Sequence, residues 1–349
     1  MSDDFDLYDP DEMEEPIDFN EVMDAFLDDE NTFPPRFLTR LSGLESLELD
    51  QFIDTWPNAS QMRRERLLED LEVLADDLLH LDFDQIFRLG LNEASAHARQ
   101  VAIRALWECQ DTDLIEKFTA LLLDDPETDV RAQAARGLGR FIYWAEIEEI
   151  NPALSGKITE QLISVFKADP PEALQRGILE GIGFGSDPKA TKLIESAFDR
   201  EQEDWLVSGL IAAGRSANEQ FIPQVIEHLN HDSPDVRREA VEASGLLSAQ
   251  QAATHLLHLI DDPEEEIKFA AIWALSEIGG LDARAALESL IKNAEDEDEV
   301  EFIADALENL DFTEMSLNFD LLDLSEDEFS EDDLLEDDLT DLMDDTDDY

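Results

Sequence analysis

Residues 234–245 read PDVRREAVEASG, residues 266–275 read EIKFAAIWAL, and residues 129–139 read DVRAQAARGLG. In each stretch a basic residue follows an aliphatic one near the start, and small or aliphatic residues then recur at helical spacing. Val236-Arg237 returns 31 residues later as Ile267-Lys268. Self-similarity at this period predicts an array of stacked supersecondary units.

Glycines repeat in the same register, because Gly183, Gly214 and Gly245 lie 31 residues apart and each closes an apolar run. An Asp-Pro or Ser-Pro pair opens several units, which predicts a helix start with a capping oxygen before a proline. These pairs are Asp125-Pro126, Asp169-Pro170, Ser233-Pro234 and Asp262-Pro263. Each unit therefore begins with a helix.

The first helix of a unit carries one apolar stripe, and a second stripe such as Leu256, Leu257 and Ile260 follows a short turn. The first stripe is clearest at Ile267, Ala271, Ile272, Leu275 and Ile278. Two amphipathic helices cannot bury both stripes alone, so neighbouring pairs must stack. The sequence predicts an all-α fold, an α-solenoid of stacked antiparallel helix pairs with disordered acidic termini.

The three quoted stretches closely resemble HEAT repeats, and in particular the short HEAT-like units also found in phycobilin lyases. The overall resemblance is to bacterial HEAT-repeat domain proteins of unassigned function. It implies about six full repeats from Ala94 to Asn293 and a capping half repeat to Leu310. The resemblance is specific for the fold and poorly specific for function, because such solenoids carry unrelated activities.

Four regions follow from the repeat limits and the composition. They are an acidic, largely disordered N-terminal arm (1–33), an N-terminal helical cap (34–93), the solenoid (94–310) and an acidic disordered C-terminal tail (311–349). One interval departs from the repeat, because Gly139 and Gly183 are 44 residues apart and 141–152 is the expected insertion. Its aromatic residues predict either a contact patch or an extended helix that packs them inward.

Charge is the second strong property, since 88 acidic residues face 24 basic ones for a net charge of −64. Residues 1–31 hold 14 acids and no base, and residues 311–349 hold 18 acids and no base. Direct binding to nucleic acid or to an anionic membrane is disfavoured, because both need Lys and Arg. Salt adaptation remains an alternative explanation of the acidity.

Both ends interleave apolar residues with acids, a pattern typical of disordered segments that fold against a basic, grooved partner. Asn20 is a candidate cap for a short helix through Leu27. The predicted partner-binding residues of the tail are Phe319, Leu321, Leu322 and Phe329. The alternative is a pair of solubilising tails.

The second helix of each pair lines the concave side in the family that this chain resembles, which makes that side the other predicted partner surface. Its outward residues are expected to be Lys192, Glu195, Gln224, Glu227, His228, His255, His258 and Glu288. This stripe is mixed in sign and suits a protein surface better than a polyanion. By the same resemblance, Arg131, Arg237 and Lys268 are expected to bridge to acids of an adjacent repeat.

Few residues suggest catalysis or metal binding. Cys109 is the only cysteine, so no disulfide or cysteine zinc site can form within the chain, and it is expected to be a small core or boundary residue. The pairs His228/His231 and His255/His258 have a spacing that would suit a metal, although surface histidines explain them as well. HEAT-like di-iron hydroxylases use His-Glu dipeptides as ligands, and this sequence contains none.

The leading hypothesis is a non-enzymatic scaffold that binds a protein with a basic surface, without cofactor or metal. One alternative is a phycobilin-lyase-like chromophore attachment or accessory enzyme, and another is a nucleic-acid mimic that binds a basic protein. The first thirty residues are acidic rather than basic and apolar, so a cytoplasmic location is expected. The sequence does not specify an oligomeric state.

Overall fold

The computed structural model describes residues 17–294 and 296–326, without the side chains of residues 316–326. The chain divides after Asp199 into two compact units, each built from helices. The helices of the first unit are α1 (Phe19–Leu27), α2 (Ser46–Thr55), α3 (Gln61–Asp77), α4 (Asp84–Gly90), α5 (Ala96–Ala105), α6 (Asp113–Asp124), α7 (Thr128–Glu146), α8 (Ala153–Lys167), α9 (Glu172–Ile182) and α10 (Pro188–Phe198). Those of the second are α11 (Glu203–Arg215), α12 (Ile222–His228), α13 (Pro234–Leu246), α14 (Ala253–Leu259), α15 (Glu265–Ile278), α16 (Leu281–Asn293) and α17 (Glu297–Glu326).

Helix pairs stack within each unit as the repeat pattern predicts. In the first unit α7 packs between the first helices of its neighbouring pairs, α5 and α9. In the second unit α13 packs in the same way between α11 and α15. The predicted stripe is the core of α15, because Ile267, Ala271, Ile272, Leu275 and Ile278 are all buried. The all-α repeat fold is therefore confirmed for the described part of the chain.

Helix starts after the Asp-Pro pairs lie later than the sequence suggests. Pro234 does begin α13, but α7 begins at Thr128 and α15 at Glu265. Asp125 Oδ1 accepts a hydrogen bond from the backbone N–H of Glu127 at 2.9 Å. The Asp125 side chain therefore stabilises a short turn that precedes α7, and it does not cap the helix.

The N-terminal prediction is corrected by α1, which lies within the region expected to be largely disordered. Its apolar face is buried, and Phe26 stacks on Phe52 at 5.4 Å and on Trp56 at 5.6 Å between ring centroids. The N-cap is Asp18 rather than Asn20, since Asp18 Oδ1 accepts from the N–H of Asn20 at 3.0 Å. The chain's own aromatic side chains supply the docking site that we assigned to a partner. Residues 1–16 lie outside the described range.

The C-terminal boundary also differs, because α17 continues past residue 310 to Glu326. Ile303, Ala306 and Leu310 form its buried face against the repeats. Helical backbone therefore extends 16 residues into the segment predicted to be a disordered tail. Residues 327–349 lie outside the described range.

A left-handed residue follows the first helix of successive pairs in the second unit. Ala217 (φ 47°), Ser248 (φ 46°) and Gly279 (φ 72°) occupy this position at 31-residue intervals. Only the third is a glycine, the residue that adopts this conformation without steric cost. Two repeats thus hold a strained backbone at an exposed turn.

We expect Ser248→Gly to raise the free energy of unfolding by about 1 kcal/mol, because it removes the left-handed penalty. Urea unfolding measures the change. Ala285→Gly is the matched control: it lies at an exposed position within α16 and should lower stability by about 0.5–1 kcal/mol. Equal destabilisation by both variants would contradict the strained turn.

Candidate protein-interaction surfaces

Arg99 and Arg237 occupy the same repeat position, and each joins its helix pair to the segment that opens the next pair. Arg99 binds both carboxylate oxygens of Asp125 at 2.7 and 2.8 Å, and it also donates to the carbonyl oxygens of Glu93 and Ala94. The same pattern recurs in the second unit. Arg237 binds Asp262 at 3.0 and 3.1 Å and donates to the carbonyl oxygens of His231 and Asp232.

The predicted bridges to an adjacent repeat are confirmed for Arg237 and also for Lys268, whose Nζ binds Glu299. Arg131 differs, because its Nε donates to the carbonyl oxygen of Leu122 at 2.9 Å. Asp169, the acid of the Asp-Pro pair that follows α8, accepts a hydrogen bond from Gln175 at 3.2 Å. Among the described residues, the bridge to an acid that was predicted for Arg131 is therefore absent.

The predicted second-helix stripe is divided between the two units. In the first unit, Lys192 and Glu195 are exposed on α10. In the second unit, Glu227 on α12, His258 on α14 and Glu288 on α16 are exposed. Helix α14 packs against α16, so the last two belong to neighbouring helices.

Three other predicted stripe residues are partly buried: Gln224, His228 and His255. His228 Nδ1 lies 2.7 Å from the carbonyl oxygen of Gln224, one helical turn earlier. Oε1 of Gln224 and Nδ1 of His255 are buried, and neither has a hydrogen-bond partner among the described residues. These side chains offer less surface to a partner than the sequence pattern indicates.

The histidine pairs do not gather a ligand set in the described residues. The rings of His228 and His231 stack with their centroids 6.1 Å apart. No group of three or more His, Cys, Asp or Glu residues within 17–294 and 296–326 has a metal-binding arrangement.

Cys109 is a buried boundary residue, as predicted. Burial and its hydrogen bond with Asp84 raise the pKa of its thiol to about 12. The thiolate needed for nucleophilic attack is therefore not populated near neutral pH.

The aromatic residues of the insertion pack inward, which decides between the two interpretations of 141–152. Phe141 and Trp144 are buried, their rings 5.2 Å apart, on the extended α7. Only Tyr143 is partly exposed, and its ring contacts Phe184 at 5.8 Å. The guanidinium of Arg140 lies 4.6 Å from the centroid of Tyr143, a cation–π arrangement that the sequence pattern did not indicate.

The predicted tail residues cannot be placed as side chains. Phe319, Leu321 and Leu322 belong to the backbone of α17 beyond the described side chains, and Phe329 lies outside the described residues. Two further apolar residues on the same helix, Phe312 and Met315, are described and strongly exposed. They belong to the same acidic-hydrophobic segment, but they are not among the four residues predicted to bind a partner.

No helix in the described part of the chain is long and apolar enough to span a membrane.

Residues 222–308 match the family of HEAT repeats. The chain has no significant match among curated proteins. The resemblance that the stretches at 234–245 and 266–275 carry is thereby confirmed for this segment.

Solved structures with a similar fold include YibA of E. coli (16% identity, 80% of this chain and 97% of that chain, TM-score 0.41). The CpcE–CpcF complex of phycocyanin lyase from Nostoc sp. PCC7120 is 18% identical over 65% of this chain and 94% of that chain, with a TM-score of 0.43. Human deoxyhypusine hydroxylase is 17% identical over 74% of this chain and 95% of that chain, with a TM-score of 0.33. Similarity at this level carries no functional argument.

Proposed function

We propose that this chain, whose residues 222–308 are HEAT repeats, is a non-enzymatic scaffold that binds a protein with a basic surface. The observation that carries the proposal is the use of its few basic residues. Many of its arginines are paired with carboxylates of the chain itself, so they are not available to balance the acidic excess that faces solvent and partners.

Arginine–carboxylate pairs between neighbouring helices account for much of the basic charge. Arg136 and Glu180 join α7 to α9, with Nε and Oε2 2.5 Å apart, and Arg104 joins α5 to Glu72 of α3 at 2.9 Å. In the described part of the chain, arginines with a carboxylate partner include Arg40, Arg64, Arg88, Arg99, Arg104, Arg136, Arg140, Arg237, Arg238 and Arg284. A one-to-one pair of this kind is locally neutral, so these arginines do not offset the other carboxylates, which carry most of the negative charge behind the net value of −64.

A surface of this kind attracts basic proteins and repels polyanions. Electrostatic complementarity mainly sets the association rate and the choice of partner, and it weakens with salt. The exposed acids Glu227 and Glu288 place part of this charge on the second helices of the second unit. We therefore assign the contact with the partner to that stripe and to the acidic ends of the chain.

The test is affinity capture by the full chain from a lysate of its source, at low and moderate salt, with mass spectrometry. Glu227→Lys/Glu288→Lys is expected to lower recovery of the bound basic proteins about tenfold at low salt. Glu203→Lys/Glu265→Lys makes the same charge change at exposed positions on first helices and should preserve binding.

Three results would contradict the proposal or part of it. Equal recovery by both double variants would remove the second-helix stripe from the binding surface. Copurification of a tetrapyrrole with the chain would favour the lyase alternative. Displacement of all captured partners from the chain by added DNA would favour nucleic-acid mimicry.

A further inference from the structure

Among the described residues of the second unit, the most exposed large apolar side chains lie on its last two helices. Leu281, the first residue of α16, is 85% exposed, and Phe312 and Met315 on α17 are 71% and 60% exposed. Isolated exposed apolar residues are ordinary, but a group of them indicates an interaction site.

Helix α17 has two apolar faces in this region. Ile303, Ala306 and Leu310 form the buried face at spacings of three and four residues. Phe312 and Met315 lie about 200° and 140° around the helix from Leu310, at about 100° per residue, and so on the opposite side. The helix end therefore presents an apolar face that the repeats do not cover.

The outward face changes character along the helix. Glu301, Asp305 and Glu308 precede Phe312 and Met315 on this outward face, at spacings of three and four residues. The change from acidic to apolar at residue 312 is the pattern of a helix that meets a partner beyond that point.

Ion pairs fix this helix end beside α16. Arg284 Nη2 binds Asp311 Oδ1 at 2.5 Å and Glu314 Oε2 at 2.7 Å. Thr313 lies next to Gly279, where a Cβ would be 3.7 Å from its Cγ2. The turn that leads into Leu281 therefore packs against α17 at Thr313 and Glu314.

The charges around the three apolar residues decide the occupant. Arg284 is shared by two carboxylates, and Asp282 and Glu308 add further negative charge. A second copy of the chain would bring like charge to this rim. So would residues 327–349, which hold acids and no base.

We infer that Leu281, Phe312 and Met315 form a docking surface for a basic amphipathic helix of a partner protein. Its apolar stripe covers the three side chains, and its Lys and Arg residues meet the acidic rim. The inference rests on the proposed function, to which it adds a second surface and the form of the partner segment.

The test uses the full chain and a fluorescent synthetic helix of about four turns, with leucines on one face and lysines elsewhere. A scrambled peptide of the same composition has the same charge and no apolar face. Fluorescence anisotropy should show at least tenfold tighter binding of the amphipathic peptide. Phe312→Ala/Met315→Ala should abolish this preference.

Leu47→Ala/Leu79→Ala is the matched control, because these leucines are 86% and 90% exposed in the first unit. It should leave binding within about twofold. Equal affinity for the two peptides, or an unchanged preference in Phe312→Ala/Met315→Ala, would overturn the inference.

Sedimentation equilibrium of the full chain tests whether a second copy of the chain occupies this surface instead. Dimerisation that Phe312→Ala/Met315→Ala removes would assign the surface to a second copy and overturn the inference. The two proposals can fail separately. If the Phe312→Ala/Met315→Ala variant still captures the same partners, only the docking surface is contradicted and the scaffold proposal stands. A chain that captures no basic protein loses the proposed function whether or not it binds the peptide.

Discussion

Gly181→Ala is expected to destabilise the first unit by about 3 kcal/mol, although it adds only one methyl group. A Cβ at residue 181 would meet the carbonyl oxygen of Ala135 on α7 well inside van der Waals contact, and the carbonyl carbon at 3.1 Å. Those atoms are backbone, so the clash is relieved only by moving one helix away from the other.

The close approach extends along both helices. Gly177 lies one turn before Gly181 on α9, and a Cβ there would be 2.6 Å from the carbonyl oxygen of Ala132. A Cβ on Gly139 of α7 would be 2.5 Å from the carbonyl oxygen of Gly181. Since residues four apart share a helix face, small residues make this contact continuous.

Gly156→Ala is the matched control, because it also adds one methyl group to a helical glycine. Nothing lies within 4 Å of a Cβ built there, and the residue is exposed on α8. It should raise stability by about 0.5–1 kcal/mol through helix propensity alone. Urea unfolding followed by circular dichroism measures both, and stabilisation by Gly181→Ala would refute the close approach of α7 and α9.

These contacts explain why the glycine spacing predicts the repeat, and they change its physical meaning. We interpreted the glycines as the ends of apolar runs, and Gly183 does follow the last residue of α9. Gly214 and Gly245 instead lie inside their helices, where a Cβ would be 3.0 Å from Ala243 Cα and 3.2 Å from Ala274 Cα. The 31-residue interval therefore reports where first helices touch. The turns are set by other residues, such as Ser248.

Burial that depends on residues distant in the sequence does not follow from a local helical pattern. The spacing of Phe19, Val22, Met23 and Phe26 shows an amphipathic helix, but not that Phe52 and Trp56 would cover it. At the other end, acid density suggested disorder in a segment that begins as helix.

The same distinction applies to the candidate site residues, because some follow from the local helical pattern and others depend on neighbouring helices. Outward positions such as Glu195 and Glu288 follow from helical periodicity, because a residue opposite a buried stripe is exposed in any packing. Partial burial of His255 and exposure of Phe312 depend on where neighbouring helices end. A single helix pattern carries no information about those ends.

Leu275→Ala is expected to lower the free energy of unfolding of the second unit by about 2–5 kcal/mol. Leu275 is fully buried on α15, which packs against α13, α14, α16 and α17. Truncation removes its packing contacts and leaves a cavity that rigid neighbouring helices fill only in part. Because repeat units contact only their neighbours, the loss should be local. Hydrogen exchange should accelerate in α13, α15 and α17 and remain unchanged in α5.

Leu281→Ala provides the matched control, since the same change is made six residues later at a side chain that is 85% exposed. Its effect should stay within about 0.5 kcal/mol, because no packing is lost. A Leu275→Ala variant as stable as Leu281→Ala would mean that the stripe from Ile267 to Ile278 is not the core of this repeat. The local response also bears on the docking surface. If Leu281→Ala leaves exchange in α17 unchanged, a loss of peptide binding in that variant reports a lost contact and not a loosened helix.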